Sequence, residues 1–172
     1  MAISAEYQPV IAAFQERFNA EVREFRGEVT LILSSEHNVE AAQALRDEFG
    51  FEMLIDITAV DYWLKSPERI HLNYQFYSIS QNRLLRLRFP LQGNAPRVRT
   101  VETIYPGANW YEREVFDMFG ITFEGHSDLR RIVLPYEWEG HPLRKDYPLG
   151  YEEVQFTFNA DEIRVRKPHP RE

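Results

Sequence analysis

The chain has 172 residues, of which 44% are hydrophobic and 14% aromatic, so we expect one folded domain with a core. Its net charge of −7 is unlike the clustered basic surface that a nucleic acid backbone needs. The absence of cysteine excludes disulfides, thiolate catalysis and an iron–sulfur cluster held by this chain's own thiolates.

The N-terminal region predicts no signal peptide, because it has neither a basic n-region nor a long apolar h-region. Val10, Ile11, Phe14 and Phe18 recur at helical spacing and predict an amphipathic helix over about residues 8–20. Residues 22–26 and 29–33, separated by Gly27 and Glu28, predict a β-hairpin.

A second helix is predicted from Asn38, which suits a helix cap, to Gly50, which suits a helix end. Its inner stripe is Val39, Ala42, Leu45 and Phe49.

Three strands are predicted next, at residues 53–62, 70–79 and 83–89. Each alternates apolar and polar side chains, and in the first we expect Met53, Ile55, Ile57 and Ala59 to share one face. One solvent-exposed face and one buried face favour a largely antiparallel or mixed sheet with the N-terminal helices packed on its buried face. This arrangement is an α+β fold.

The character of the chain changes near residue 125, so we expect an α+β domain over residues 1–125 and an extended docking segment with a C-terminal tail over residues 126–172. The segment is irregular and rich in Pro, Trp, Tyr and Arg. Within the tail, residues 154–158 predict one strand, and Pro168 and Pro170 argue against a helix.

A third helix is predicted over about residues 110–119, with a capping box formed by Asn109 and Glu112 and with Gly120 at its C-terminal end. Helical rotation places Arg113, Glu114 and Asp117 on a face opposite the apolar one, where a solvated surface is the plain expectation. Glu112 projects into the apolar face and Trp110 into the charged one. An exposed Trp is more readily explained by a partner that buries it.

The same mixture of arginines and aromatic rings continues through residues 126–149 and is typical of protein–protein interfaces. We therefore predict a docking surface whose charged and aromatic side chains are buried by another polypeptide. Its predicted members are Trp110, Glu112, Arg113, Glu114, Asp117, His126, Arg130, Arg131, Trp138, His141, Arg144, Lys145, Asp146 and Tyr147.

Catalysis is the competing interpretation of this segment. A metal-dependent hydrolase would use His126, His141 and Asp128, but their spacing matches no short metal-ligand motif. The chain contains neither a nucleophile elbow nor a glycine-rich nucleotide loop. Asp56 and Asp61 lie five residues apart on one strand, so they face opposite sides unless a bulge intervenes.

The pattern Glu-Arg-Glu (112–114), Asp117, Met118-Phe119, His126, Arg130 and Ile132-Val133 resembles the signature of the C subunit, also called the thirty-kilodalton subunit, of respiratory complex I. Residues 138–149 (WEGHPLRKDYPL) resemble a second hallmark of that family, and the likeness extends over residues 54–156. The first 50 or so residues match only in layout. Ser127 departs from the family, which usually has proline there.

The resemblance implies a non-catalytic subunit in the hydrophilic arm of a proton-translocating NADH:quinone oxidoreductase, packed against the D subunit that helps form the quinone site. It implies no cofactor in this chain, with FMN and iron–sulfur clusters in partner subunits. It also implies a peripheral location on the cytoplasmic side of the bacterial cell membrane, with membrane contact only through the complex. An equivalent subunit of a membrane-bound hydrogenase or a ferredoxin-dependent complex is the alternative within the same class.

Overall fold

The computed structural model of the protein describes residues 5–63 and 67–148. Three helices and seven strands follow one another in these residues, with short 3-10 turns at Ala5–Tyr7 and Ser35–His37. They are α1 (Gln8–Phe18), β1 (Glu21–Phe25), β2 (Glu28–Ile32), α2 (Asn38–Asp47), β3 (Met53–Asp61), β4 (Ile70–Ser78), β5 (Arg83–Leu91), β6 (Arg97–Arg99), α3 (Ala108–Phe119) and β7 (Thr122–Glu124). None of the described helices is both long enough and apolar enough to span a bilayer.

Five strands form one mixed sheet in the order β1-β2-β5-β4-β3. The β2–β5 pair is parallel and the other three pairs are antiparallel. Strands β6 and β7 form a separate two-stranded parallel sheet. The predicted α+β fold is confirmed, because the helices and the sheet share one hydrophobic core.

The core lies on one face of the five-stranded sheet. Leu72, Tyr74 and Phe76 of β4 are fully buried there, and Phe14 of α1 and Leu45 of α2 belong to the same cluster. The opposite face of the central strands carries polar side chains such as Gln75 and Arg86. The alternating pattern in the sequence predicts this division correctly, since successive side chains on a strand point to opposite faces.

Strand β3 departs from the predicted alternation at its first residues. Met53 is 46% exposed and Leu54 is buried, the reverse of the prediction. A shift in register between Leu54 and Asp56 accounts for this, because one extra residue moves the preceding side chains to the other face. From Ile57 to Asp61 the alternation is regular, so Asp56 and Asp61 face opposite sides of the sheet.

Two turn and cap predictions are corrected by the structure. The hairpin turns at Arg26 and Gly27, whose φ values of 54° and 85° are the left-handed pair that suits a tight hairpin. Asn38 is the first residue of α2 and not its cap, and its amide donates to the carbonyl of Arg99 at 2.5 Å.

Residues 126–148, the described part of the docking segment, form turns without a helix or strand, and we call them the strap. The predicted strand at residues 154–158 and the predicted extended end lie outside the described residues. The division of the chain near residue 125 stays a prediction.

Candidate functional site

The strap lies along the side of α3 that the sequence alone predicts to face solvent. Asp117 has no exposed surface and Arg113 only 7%, whereas Glu114 on the same helix is exposed. Arg113 donates through Nε to the carbonyl of Arg130 at 3.2 Å. The predicted solvated face is therefore wrong for Arg113 and Asp117, because the chain folds back over them.

Asp117 is the first anchor of the strap. Its Oδ1 accepts from Nη1 of Arg131 at 2.5 Å, and its Oδ2 accepts the backbone N–H groups of Ile132, Val133 and Leu134 at 3.1, 2.9 and 2.9 Å. Burial raises the pKa of Asp117, but these hydrogen bonds outweigh burial and hold the pKa below its usual value. One ionised carboxylate thus fixes the backbone path of three consecutive strap residues.

The C-terminal turn of α3 is closed by the strap as well. Nδ1 of His141 lies 2.9 Å from the carbonyl oxygen of Asp117, and Nε of Arg144 donates to the carbonyl of Phe119 at 2.6 Å. Helix ends leave carbonyls without intrahelical partners, so these contacts satisfy groups that the helix itself cannot. Gly120, at φ 71°, ends the helix as predicted, and a Cβ there would lie 2.5 Å from the His141 ring. Burial lowers the pKa of His141, which favours the neutral ring.

Asp61, at the end of β3, is the second anchor. Arg69 donates to both of its oxygens at 2.7 and 3.0 Å, and the backbone N–H of Lys145 in the strap donates to Oδ2 at 2.8 Å. Arg69 also pairs with Asp146 of the strap at 2.6 Å. Burial raises the pKa of Asp61, but donation from Arg69, Lys145 and Trp63 outweighs it and lowers the pKa to about 2.

Glu112, on the first turns of α3, is fully buried and faces away from the strap anchors. Its carboxyl accepts from the hydroxyl of Thr100 at 2.5 Å and from the backbone N–H of Val101 at 2.8 Å. The predicted capping box is wrong, since the helix begins at Ala108 and the Asn109 side chain makes no cap hydrogen bond. Glu112 holds the connection between β6 and α3 instead.

The strap begins against the first turns of α3, where Glu112 also lies. The side chain of His126 has no exposed surface, and its Nε2 lies 3.1 Å from the carbonyl oxygen of Asn109. Its Nδ1 accepts the backbone N–H of Asp128 at 3.0 Å. Glu102 accepts the backbone N–H of Ser127 at 3.2 Å, so both sides of this turn are fixed.

The surface that remains exposed on α3 and the strap includes several large apolar side chains among charged ones. Trp110 is 60% exposed, with the guanidinium of Arg113 above its ring at 5.0 Å. On the strap, Tyr136 is 91% exposed, Val133 61% and Leu143 53%. These three strap residues are not among the predicted docking residues, although three large apolar side chains in an irregular segment without a core of its own are a usable signal.

The predicted docking residues divide into three groups. Glu112 and Asp117 have no exposed surface because this chain alone buries them, and their contact with a partner stays a prediction. Residues with exposed surface are Trp110, Glu114, Arg130, Lys145 and Asp146. Residues that are part-buried are His126, Arg131, Trp138, His141, Arg144 and Tyr147, and Arg113 is nearly buried.

Two groups that hold the strap are absent from the predicted site. The sequence pattern offers Asp61 only as half of a possible acid pair and gives Arg69 no role. Asp61 falls in the same alternation as the buried Ile57 and Ala59, and a carboxylate in an apolar register requires a partner. That register is the signal that predicts a buried ion pair at this strand end.

The proposed metal ligands are not brought together. His126 contacts the carbonyl of Asn109 and His141 that of Asp117, two carbonyls about 12 Å apart along a helix. Among residues 5–63 and 67–148, no three acidic or histidine side chains are grouped so that they could hold a metal ion.

The fold and the site together define an α+β domain protein whose own strap is tied to α3 and leaves apolar side chains outside. The family described as "Respiratory-chain NADH dehydrogenase, 30 Kd subunit" matches residues 31–153, and the chain belongs to this family. The resemblance seen in the sequence is thereby confirmed.

Similar proteins agree with this assignment. The chain is 44% identical over 151 residues to the C subunit of NADH-quinone oxidoreductase from Roseiflexus sp. (strain RS-1), covering 87% of this chain and 86% of the relative. It is 43% identical over 152 residues to the protein of the same name from Geotalea uraniireducens (strain Rf4), covering 87% and 92%.

Two solved structures share the fold. A trypsin-resistant fragment (1–134) of Nqo5 is 28% identical with a TM-score of 0.64, covering 72% of this chain and 99% of the fragment. A chain of the membrane-bound sulfane sulfur reductase, an archaeal respiratory membrane complex, is 25% identical with a TM-score of 0.69, covering 90% and 96%.

Proposed function

We propose that the protein is a structural subunit of a proton-translocating NADH:quinone oxidoreductase and that its strap docks it against the quinone-site (D) subunit. Relatives at 43–44% identity are named as the C subunit of NADH-quinone oxidoreductase, which supports membership of that enzyme. The chain has no cysteine and so cannot hold an iron–sulfur cluster through its own thiolates, which fits a subunit without a redox group. FMN and the clusters belong to partner subunits, some of which adjoin this chain in the hydrophilic arm. The chain sits peripherally at the cytoplasmic side of the membrane.

One observation carries the docking proposal: buried carboxylates hold the strap in its middle and at its far end, while several of its large apolar side chains remain exposed. Asp117 and Asp61 fix the backbone through hydrogen bonds to N–H groups of the strap. Val133, Tyr136 and Leu143 remain largely exposed on it. A segment ordered before binding loses less conformational entropy when a partner covers it, so affinity improves without additional contacts.

The buried and exposed residues thus have separate roles. The ionic groups predicted to contact a partner mainly shape the strap from within. The contact itself falls to the exposed apolar side chains and to charges at their rim, such as Arg130 and Lys145. Apolar centres with polar rims are the usual composition of stable protein interfaces.

The test uses Tyr136→Asp, at an exposed position for which the structure gives no side-chain hydrogen bond to lose. Expressed in place of the wild-type subunit, this variant should reduce the assembled complex in membranes and its NADH:quinone activity by about tenfold or more. The purified variant should keep the wild-type melting temperature. Ile79→Asp, at a 64% exposed position in the β4–β5 turn, is the matched control and should assemble normally. Normal assembly of Tyr136→Asp would refute docking through this surface.

A related membrane complex is the second candidate, favoured by the likeness to a chain of the sulfane sulfur reductase. The two candidates differ in the electron donor of the whole assembly. Purification of the tagged chain from native membranes decides between them: an assembly that reduces quinone with NADH supports the first candidate, and a large assembly without this activity supports the second. Recovery of the chain only as a free monomer contradicts both.

A further inference from the structure

Glu112 is a fully buried carboxyl that faces neutral donors. Thr100 and Val101, which donate to it, carry no charge. Among the residues that the structure describes, the nearest group that could become a cation is His126, whose Nε2 lies 4.0 Å from Oε2 of Glu112. Because Nδ1 of His126 accepts the N–H of Asp128, its proton resides on Nε2 and the ring is neutral.

The other elements around Glu112 also contribute no positive charge. Glu102, in the connection that precedes α3, lies 3.5 Å from the same Nε2 atom of His126 and is itself acidic. Tyr74 of β4 is a titratable but neutral neighbour, fully buried, and burial together with the charge of Glu112 raises its pKa. Arg113, next to Glu112 on the helix, donates to strap carbonyls instead.

An ionised Glu112 therefore bears a buried charge without a counterion, and such a charge strongly favours proton uptake. We propose that the Glu112 carboxyl is a proton-binding site that holds the start of the strap against α3 when protonated and weakens this hold when ionised. Consistent with the geometry, burial and the charge of Glu102 raise the pKa of Glu112 to about 7, against the hydrogen bonds from Thr100 and Val101. The proton exchanges in the neutral range.

The hydrogen bonds explain how the proton acts. A protonated Oε2 donates to Oγ1 of Thr100, which already accepts the N–H of Glu102 at 3.1 Å. When Glu112 ionises, two carboxylates lie within 4.0 Å of the same Nε2 atom of His126, and their repulsion acts on the turn that starts the strap. That this regulates docking rests on the proposed function, whereas the proton switch itself does not.

The direct test is nitrogen-15 NMR of the isolated full chain between pH 5 and pH 9. The amide of Val101, which donates to Glu112, should titrate with a midpoint near 7. Glu112→Gln should abolish the Val101 titration, and Glu114→Gln, exposed on the same helix, should leave it unchanged. A pH-independent Val101 amide overturns the proposal on the wild-type protein alone.

Hydrogen exchange then measures the hold on the strap. After correction for the intrinsic pH dependence, the opening equilibrium at Ser127 and Asp128 should rise about tenfold or more from pH 5 to pH 8, because the open state releases the proton more readily. Glu112→Gln should remove this rise. Equal opening at both pH values in the wild-type chain contradicts the proposal. Both readouts need no partner, so their outcome is independent of whether Tyr136→Asp disrupts assembly.

Discussion

Asp61 and Arg69 stand at the two sides of the β3–β4 connection and form a two-point ion pair, with Nη2–Oδ2 at 2.7 Å and Nε–Oδ1 at 3.0 Å. Their side chains are 1% and 11% exposed. The same pair receives the strap, because Asp61 accepts the N–H of Lys145 and Arg69 pairs with Asp146. A pair that closes one connection in the domain therefore also holds the far end of the strap.

Acid should weaken this anchor. The pKa of Asp61 is lowered from 3.8 to about 2, so its contribution, about 2 kcal/mol, is fully present above pH 4 and is lost as the pH falls through 2. Asp61→Asn should lower the free energy of unfolding at pH 7 by about 3 kcal/mol, because it leaves Arg69 without its buried partner. Urea unfolding between pH 2 and pH 7 measures both effects.

Asp128→Asn is the control for Asp61→Asn. Asp128 pairs with Arg130 at 2.8 Å, but both side chains are at least half exposed, and surface pairs contribute little. The free energy of unfolding of the Asp128→Asn protein should stay close to the wild-type value at pH 7. An Asp61→Asn protein as stable as the Asp128→Asn protein would show that the strap and the β3–β4 connection do not depend on the pair.

Removing the charge of Asp117 should release the middle of the strap. Asp117→Asn keeps the size of the side chain but loses the ion pair with Arg131 and one of the oxygens that accept hydrogen bonds. We expect a loss of about 3 kcal/mol and faster hydrogen exchange at residues 132–134. Glu114→Gln, an exposed change on the same helix, should leave exchange unaltered. Unchanged protection of those amides in Asp117→Asn would show that other contacts fix the strap.

Gly120 should not tolerate a side chain. Its φ of 71° is strained for alanine, and a Cβ would lie 2.5 Å from ring atoms of His141. Gly120→Ala should lower the free energy of unfolding by about 1–3 kcal/mol and shift the NMR signals of the His141 ring. Gly107→Ala is the matched control, since a Cβ there meets nothing within 4 Å and φ is −64°. Equal stability of the two variants would contradict the close approach of His141 to the helix end.

The elements of the domain are well predicted from the sequence because their signals are local. Strands β4 and β5 keep a strict alternation, and α1 and α3 end where their apolar patterns end. The predictions are wrong where the position of a side chain depends on the register of a strand or on how a helix is capped. The bulge after Leu54 reverses the first residues of β3, and nothing in the local pattern reveals it.

The charged face of α3 shows why the site is harder to predict. Helical periodicity places Arg113 and Asp117 opposite the apolar stripe, and this geometry is correct. Whether such a face meets water, a partner or the chain itself depends on where residues 126–148 run, which is a tertiary property. Glu112 and Trp110 are correctly recognised as misplaced for a surface helix, and they have opposite fates: one is fully buried and the other is exposed.

Glu112→Gln should reveal a second pH window of opposite sign to that of Asp61. The folded pKa of Glu112, about 7, exceeds its usual 4.5, so its protonated form stabilises the fold and up to about 3 kcal/mol is lost as the pH rises from 4.5 through 7. Gln resembles the protonated acid, because its amide oxygen can accept the N–H of Val101 while its NH2 group donates to Oγ1 of Thr100, so the variant should be more stable than wild type at pH 8 and similar at pH 5. Urea unfolding at the two pH values gives the difference directly. A variant that is equally destabilised at both would mean that the Glu112 proton contributes nothing to folding and that only the shape of its carboxyl does.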